Sequence, residues 1–428
     1  MSDVGGLVGI IRSQLMFARY LQRIEPTIKF FACHNERFFE IKKDNLLWLF
    51  SDEDLSVNYE YFQNFWREAE QAGRAYRCPF DEPNGHALGA LMNDTDFFPL
   101  DSVVLFTGLY LPIVEKMALL TQVRKDIVTS QLVYDLTPVL CPQYHHPETV
   151  RQFEVFFKVL SNNFSQIIYG GQTAKRDGLV VQKKNEWTTP ISDAMRLGND
   201  LSSHYEINED EERATLEKFG INSRFIMSVG TIQPRKNHEM LYYAYISLMD
   251  KKLKNIPQLI FVGTPGWHVE NFINTLQNDS RVKGKIILIE PTDRELDVLY
   301  RHCLFTLLPS FYEGWSLTLP ESLNYGKFCL TSNADPLVET GNDLVEYIDP
   351  LDTFAWADRI NFYVNHPEAL AKKEQYIRAQ WQTTTWEEAT KELLNLAYSV
   401  FEKHPTDNRD IKNINSVSKN CADELSPA

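Results

Sequence analysis

The sequence predicts an α/β protein made of two doubly wound, parallel-sheet domains, and three observations predict it. Short apolar, β-branched runs alternate with helical patterns at brief intervals between Arg224 and Ser332, the rhythm of strands joined by crossover helices. Several of those runs end in glycine or polar loops, as strands do where open sheets bind ligands. A chain of 428 residues is also too long for one ordinary core, so two domains are the default.

The second half carries the pattern most clearly. "RFIMSVG" (Arg224 to Gly230) is a buried strand and "TIQPRKN" the loop after it. Leu241, Ala244, Tyr245 and Leu248 recur at helical spacing, with Asn237 available as a cap. "QLIFVG", "KIILIE", "CLFTLLP" and "FCLTS" are further strands. The helical patterns "VENFINTLQN" and "DRELDVLYRH", and a helix opening at Pro320, lie between them. In the first half "IKFFAC", "SVVLFTG", "SQLVYDLTP" and "SQIIYGG" read as strands of a similar, less regular sheet. Residues 44–101, with Trp66 and a turn-rich "CPFDEPNGHALG", read as an insertion that shapes a rim. The polar, acidic stretch from Arg196 to Ser223 reads as the linker between domains. Trp386, Ala389, Leu393, Leu394 and Ala397 share one face of a closing amphipathic helix. Residues 404–428 have few apolar anchors and are expected to be disordered.

Composition excludes several classes. A net charge of −15 argues against a basic nucleic-acid groove, which needs clustered Lys and Arg. No apolar run is long enough to span a bilayer, and the opening "MSDVGGLVGIIRSQ" lacks the layout of a secretory signal. Six scattered cysteines without a CxxC pair fit reduced thiols in the cytoplasm. His145 and His146, adjacent in sequence, cannot easily point at one ion, so no metal site is expected. Asn93 heads a chance glycosylation sequon. Of Trp187, Trp267 and Trp315, only Trp315 lies inside a candidate ligand loop and is favoured as a sugar platform.

That loop, "LLPSFYEGWSLTLPESLNYGK" (Leu307 to Lys327), places Glu313 and Glu321 at the carboxyl edge of a strand. A carboxylate accepts two hydrogen bonds in a plane, which suits a pair of vicinal hydroxyls. Gly314 permits close approach of the backbone, and the following helix start favours an anion. The plainer alternative is that Glu313 caps the loop and Glu321 complements the helix dipole. After another strand, "VGTIQPRKNHEML" sets Arg235 and Lys236 before a helix, where two cations oppose the dipole. An anion such as a diphosphate would account for them; two solvated side chains are the alternative. Taken jointly, sites for hydroxyls and for a diphosphate on one sheet edge describe a nucleotide sugar.

These residues resemble a known family. "SVGTIQPRKNH", "FVGTPGW", "TDRELDVLYRHCLFTLLPSFYEGWSLTLPESLNYGK" and "YIDPLD" occur in the order found in family 4 retaining glycosyltransferases. Glu313 and Glu321 match the family's E-x7-E spacing. "DVGGLVGIIRSQLMFARYL" and "VYDLTPVLCPQYH" resemble a subgroup that builds bacterial surface polysaccharides. The resemblance implies the GT-B fold, two Rossmann-like domains facing each other across a cleft. It implies an acceptor-side domain over 1–200, a nucleotide-sugar domain over 201–375, and a helix over 376–403 packing back toward the first. Arg235 and Lys236 would bind the donor diphosphate, and Glu321 the ribose hydroxyls. Glu313 would bind the transferred sugar, helped by Gly314, Trp315, Ser316 and Leu317. Gly5, Gly6 and Gly9 would form a glycine loop, and Gly230 would border the phosphates. The sequence departs from the family in three places. The chain begins almost at the glycine loop, without a first strand. Tyr134 stands where many members have a histidine, leaving Asp135 as the nearest catalytic substitute. Ser316 and Thr318 replace small or apolar residues.

The implied reaction moves a hexose, with GDP-mannose as an analogy-based donor, to a glycan or lipid-linked oligosaccharide with retention. The donor is a substrate, and no cofactor or metal is needed. The setting is cytoplasmic, with peripheral association with the inner membrane or a complex allowed. Two other readings stay open: a GT-B binding partner without activity, and a GT-B sugar-nucleotide epimerase or phosphorylase.

Overall fold

The computed structural model describes residues 9–34, 37–41, 86–200, 205–251, 253 and 255–403, and these form two compact units. One holds Ile10–Tyr134, Arg151–Met195 and the chain from Trp386; the other holds Asp135–Val150 and Arg196–Thr385. Gly5, Gly6, Trp66 and residues 404–428 lie outside the described residues.

In the first unit β1 (Phe30–His34) and β2 (Arg37–Ile41) form an antiparallel hairpin that β3 (His86–Ala87) extends. The run "IKFFAC", expected in the parallel sheet, belongs instead to this small sheet. Its neighbour "RFFEI" follows at once, and so short a connection allows antiparallel pairing alone. Phe31 meets Phe98 and Phe106 edge-on, with ring centroids 5.4 and 5.8 Å apart, and so ties the hairpin to the main sheet.

That sheet is parallel and sequential: β4 (Val103–Phe106), β5 (Val128–Val133), β6 (Gln166–Tyr169) and β7 (Ile191–Ala194). β5 and β6 are buried throughout, as strands covered on both faces are, and the polar side chains they carry are paired inside, Ser130 Oγ donating to Gln166 Oε1 at 2.6 Å. β7, "ISDA", is half-buried and lacks an apolar run, which is why the sequence did not reveal it. The helix Trp386–Lys403 completes this unit. Its Trp386, Ala389, Leu393, Leu394 and Ala397 are buried. Trp386 receives Phe17 edge-on at 5.3 Å, and the Leu396 carbonyl accepts a hydrogen bond from Gln166 Nε2 at 3.1 Å.

The second unit is a six-stranded parallel sheet of β8 (Phe225–Val229), β9 (Gln258–Val262), β10 (Ile286–Ile289), β11 (Thr306–Leu308), β12 (Cys329–Ser332) and β13 (Glu346–Ile348). The order is β10-β9-β8-β11-β12-β13. From β8 the chain winds outward through β9 and β10, then returns to the other side of β8. Successive crossovers leave in opposite directions between β8 and β11, the point at which doubly wound sheets open a ligand crevice. The core beneath includes the fully buried Tyr245, Phe261, Phe305, Phe328 and Trp356. Inside the acidic stretch read as a linker lies the helix Glu209–Lys218. Asn208 and Glu211 close a capping box there, and four acidic residues in the first turn complement the dipole.

Candidate active site

The two loops that leave the switch point are fastened to each other. β8 runs through Gly230 into a 3₁₀ turn at Pro234–Lys236, and β11 runs into the Glu313 loop and the helix Thr318–Asn324. The helix thus begins at Thr318 rather than at Pro320, which sits inside its first turn. Asn237 occupies the N-cap position of His238–Asp250, but its side chain does not cap the helix. It adopts a left-handed φ of 58° and its Nδ2 donates to the carbonyls of Pro309 (3.2 Å) and Pro350 (2.8 Å). The Phe311 N–H donates to the Arg235 carbonyl at 2.9 Å. Gly263 makes the base of this arrangement compact: its φ is 146°, and a Cβ there would lie 2.4 Å from the Gly230 carbonyl oxygen.

The centre is an ion cluster. Glu313 is 3% exposed; its Oε2 lies 2.8 Å from Arg235 Nη1 and its Oε1 2.7 Å from Lys236 Nζ. Ser310 Oγ donates to Oε1 at 2.5 Å, and the Ser310 carbonyl in turn accepts from Ser332 Oγ at 2.5 Å. Arg235 also donates to the Tyr312 carbonyl. Burial alone would raise the Glu313 pKa, but Arg235, Lys236 and the Ser310 hydroxyl reverse this and hold it at about 2. Burial and the Arg235 charge press the Lys236 ammonium below its usual range, against the pull of Glu313. Asp135, half-buried, adds a further negative charge within reach of both cations.

Arg235 Nε is buried without a hydrogen-bond partner among the described residues, as is Gln233 Oε1 in the same loop. A buried donor and a buried acceptor left unpaired in one loop are uncommon. Two cations and an uncommitted Arg235 N–H stand here against Glu313 and the neighbouring Asp135, and charge-assisted hydrogen bonds from such cations suit a phosphate. His238, fully buried behind Lys236, is held neutral: burial and the Lys236 charge depress its pKa to about 3.

The other expected residues are distributed as follows. Glu321 is buried, and its Oε2 accepts from Tyr300 Oη at 3.2 Å. Tyr300 stacks on Tyr325 at 4.8 Å, and Tyr325 Oη donates to Asp297 at 2.6 Å. Trp315 is 6% exposed, so it offers no open platform; its Nε1 is buried without a partner among the described residues. Ser316 takes a left-handed φ of 55° and its hydroxyl lies 3.2 Å from that of Thr318. Gly314 and Leu317 flank these in the same half-buried loop. Gly230 borders Lys236, whose Cε lies 3.5 Å from where a Cβ would stand. Gly9 begins the helix Gly9–Ile24 rather than sitting in a loop. Tyr134 is buried and donates to the Thr107 carbonyl at 2.8 Å. Sequence reasoning missed Ser310, Tyr300 and His238. A serine next to a phenylalanine carries no signal until a partner carboxylate is placed beside it.

Two parallel sheets flanked by helices, with a cationic cluster and two carboxylates at a switch point, define a doubly wound α/β protein with a candidate ligand site at its strand ends. Residues 209–380 match the family described as Glycosyl transferases group 1. An O-antigen chain mannosyltransferase B from Escherichia coli is 24% identical over 264 residues, covering 61% of this chain and 68% of that one. Sucrose-phosphate synthase from Thermosynechococcus elongatus superposes with a TM-score of 0.53 at 18% identity, covering 69% of this chain and 73% of that one. Anabaena Alr3699/HepE, solved in complex with UDP and glucose, gives 0.54 at 13% identity over 68% and 76%. The fold is therefore GT-B, and residues 209–380 of the chain are similar to a group 1 glycosyl transferase domain. Among the described residues no helix is long and apolar enough to cross a membrane.

Proposed function

We propose that the protein transfers mannose from GDP-mannose, with retention, to a hydroxyl of a glycan or lipid-linked oligosaccharide in surface polysaccharide synthesis. The observation that carries this reading is the Arg235–Lys236–Glu313 cluster at the switch point of a group 1 glycosyltransferase domain. The relative described as an O-antigen chain mannosyltransferase supports the sugar and the setting. The HepE complex, solved with UDP and glucose, supports a nucleoside-diphosphate donor as a class.

In this reaction the bond from the anomeric carbon to the diphosphate oxygen breaks as the bond to the acceptor oxygen forms. The acceptor proton passes to the departing phosphate. Arg235 and Lys236 stabilise the charge that grows on the diphosphate, with each well-placed donor contributing about 3 kcal/mol. Glu321 binds the ribose hydroxyls. Retention through a covalent intermediate would need a carboxylate nucleophile. Glu313, engaged by two cations and a serine hydroxyl, is better suited to binding, which supports front-side attack. With the leaving group neutralised by side chains, the reaction requires no metal.

A thermal-shift screen across UDP, GDP, ADP and dTDP sugars tests the donor, and GDP-mannose should give the largest stabilisation. Lys236→Ala should lower turnover by on the order of a hundredfold or more while the chain stays folded. Normal turnover in that variant would remove Lys236 from the reaction.

A further inference from the structure

Residues 135–150 enter the unit of β8–β13 as a short strap. Asp135 Oδ1 starts it by accepting from the Thr137 N–H at 3.0 Å and the Thr137 hydroxyl at 2.9 Å. Tyr144 lies flat on Phe311, two residues before Glu313, with centroids 5.3 Å apart and planes 8° from parallel. Trp267 Nε1 donates to the Tyr144 carbonyl at 2.6 Å, and the Trp267 ring, 41% exposed, lies 6.0 Å from the ring of His145. The backbone before His145 and the imidazole itself are thereby fixed against the loop that carries Glu313.

The Nε2 atom of His145 is buried and has no hydrogen-bond partner among the described residues. A buried imidazole nitrogen without a partner opposes folding, so its retention needs a reason. Burial and the nearby Arg235 charge lower the His145 pKa, with Asp135 opposing them, and the ring is neutral at pH 7. A neutral imidazole nitrogen accepts or donates one hydrogen bond and suits an uncharged hydroxyl better than a phosphate. His146 differs: it is exposed, and its Nδ1 accepts from the Glu148 N–H at 3.3 Å, so it serves the start of the next helix.

We propose that His145 is a sugar-binding residue of this site, its Nε2 hydrogen-bonding a hydroxyl of the hexose whose diphosphate is held at Arg235 and Lys236. The role rests on the donor reading above, and it assigns to the strap a contact with the sugar rather than with the nucleotide. Trp267 and the Tyr144–Phe311 stack are the positioning elements that hold the ring in place.

Calorimetry with GDP-mannose and with GDP separates the sugar from the nucleotide. In His145→Ala the Kd for GDP-mannose should rise about tenfold, the loss of one hydrogen bond, while that for GDP stays within twofold. His145→Gln, which keeps a polar group there, should fall between, and His146→Ala should leave both constants unchanged. If the alanine variant does not fold, the glutamine variant supplies the same ratio. Equal weakening of both ligands, or no change in either, overturns the assignment. Wild-type protein that binds neither ligand refutes the donor reading, and the His145 contact falls with it; wild-type binding with an unmoved ratio refutes His145 alone.

Discussion

Glu313→Gln removes a carboxylate whose two oxygens each meet a buried cation, and its cost can be worked from the site. The substitution keeps the shape and leaves Arg235 and Lys236 side by side, with side chains 11% and 12% exposed. The drop of the Glu313 pKa from an ordinary 4.5 to about 2 corresponds to about 3 kcal/mol of folding free energy. Removal of one partner from a buried ion pair independently costs about 3–5 kcal/mol. Because the folded pKa is depressed, this stability is fully present above about pH 4.5 and is lost as pH falls through about 2. Urea unfolding should therefore show the variant about 3 kcal/mol less stable at pH 7, with about half of that gap closed by pH 3 and the rest closing as pH falls below about 2. Pyrophosphate, which can replace the missing negative charge, should restore more stability to the variant than to the wild type. A gap below about 1 kcal/mol at pH 7, or one that persists unchanged at pH 3, would refute the view that Glu313 is the counter-ion of the cation pair.

Two further changes probe the supports of the site. Tyr300→Phe removes the hydroxyl that donates to Glu321 while keeping the stack on Tyr325. Calorimetry should show nucleotide affinity falling by about tenfold or less, with little change in melting temperature; unchanged affinity would detach Glu321 from the nucleotide. Gly263→Ala drives a Cβ into the Gly230 carbonyl at a left-handed φ and should destabilise the unit on the order of 3 kcal/mol in urea titrations. A wild-type midpoint would mean that the two strand ends can separate freely.

Five strands of the second unit were legible, because most of them are buried on both faces and several end at glycine or proline; β13, the half-buried three-residue "EYI", was not. "FIMSV", "QLIFV" and "CLTS" needed no partner to be read. β7 and the β1–β2 hairpin were not legible as they stand: "ISDA" is half-buried, and "FFACH" looks the same whichever way its neighbour runs. At the site, residue types and spacing marked Arg235, Lys236, Glu313 and Glu321. Their pairing was hidden, since Arg235 and Glu313 are 78 positions apart and only the winding of the sheet puts β11 beside β8. The same holds for residues 135–150. The sequence suggested only that two adjacent histidines make a poor metal site, whereas the fold sets one of them against Trp267 and leaves its Nε2 without a partner among the described residues.

The last helix belongs to the first sheet, and this has a bearing on biosynthesis. When Met195 leaves the ribosome, the ring of Phe17 still lacks Trp386. At roughly 10 residues per second, its partner arrives about 20 seconds later. Throughout that interval a nascent apolar face stands uncovered, a natural target for chaperones. A polypeptide truncated near residue 385 should therefore leave the other unit's sequence whole and yet precipitate through the earlier-made one.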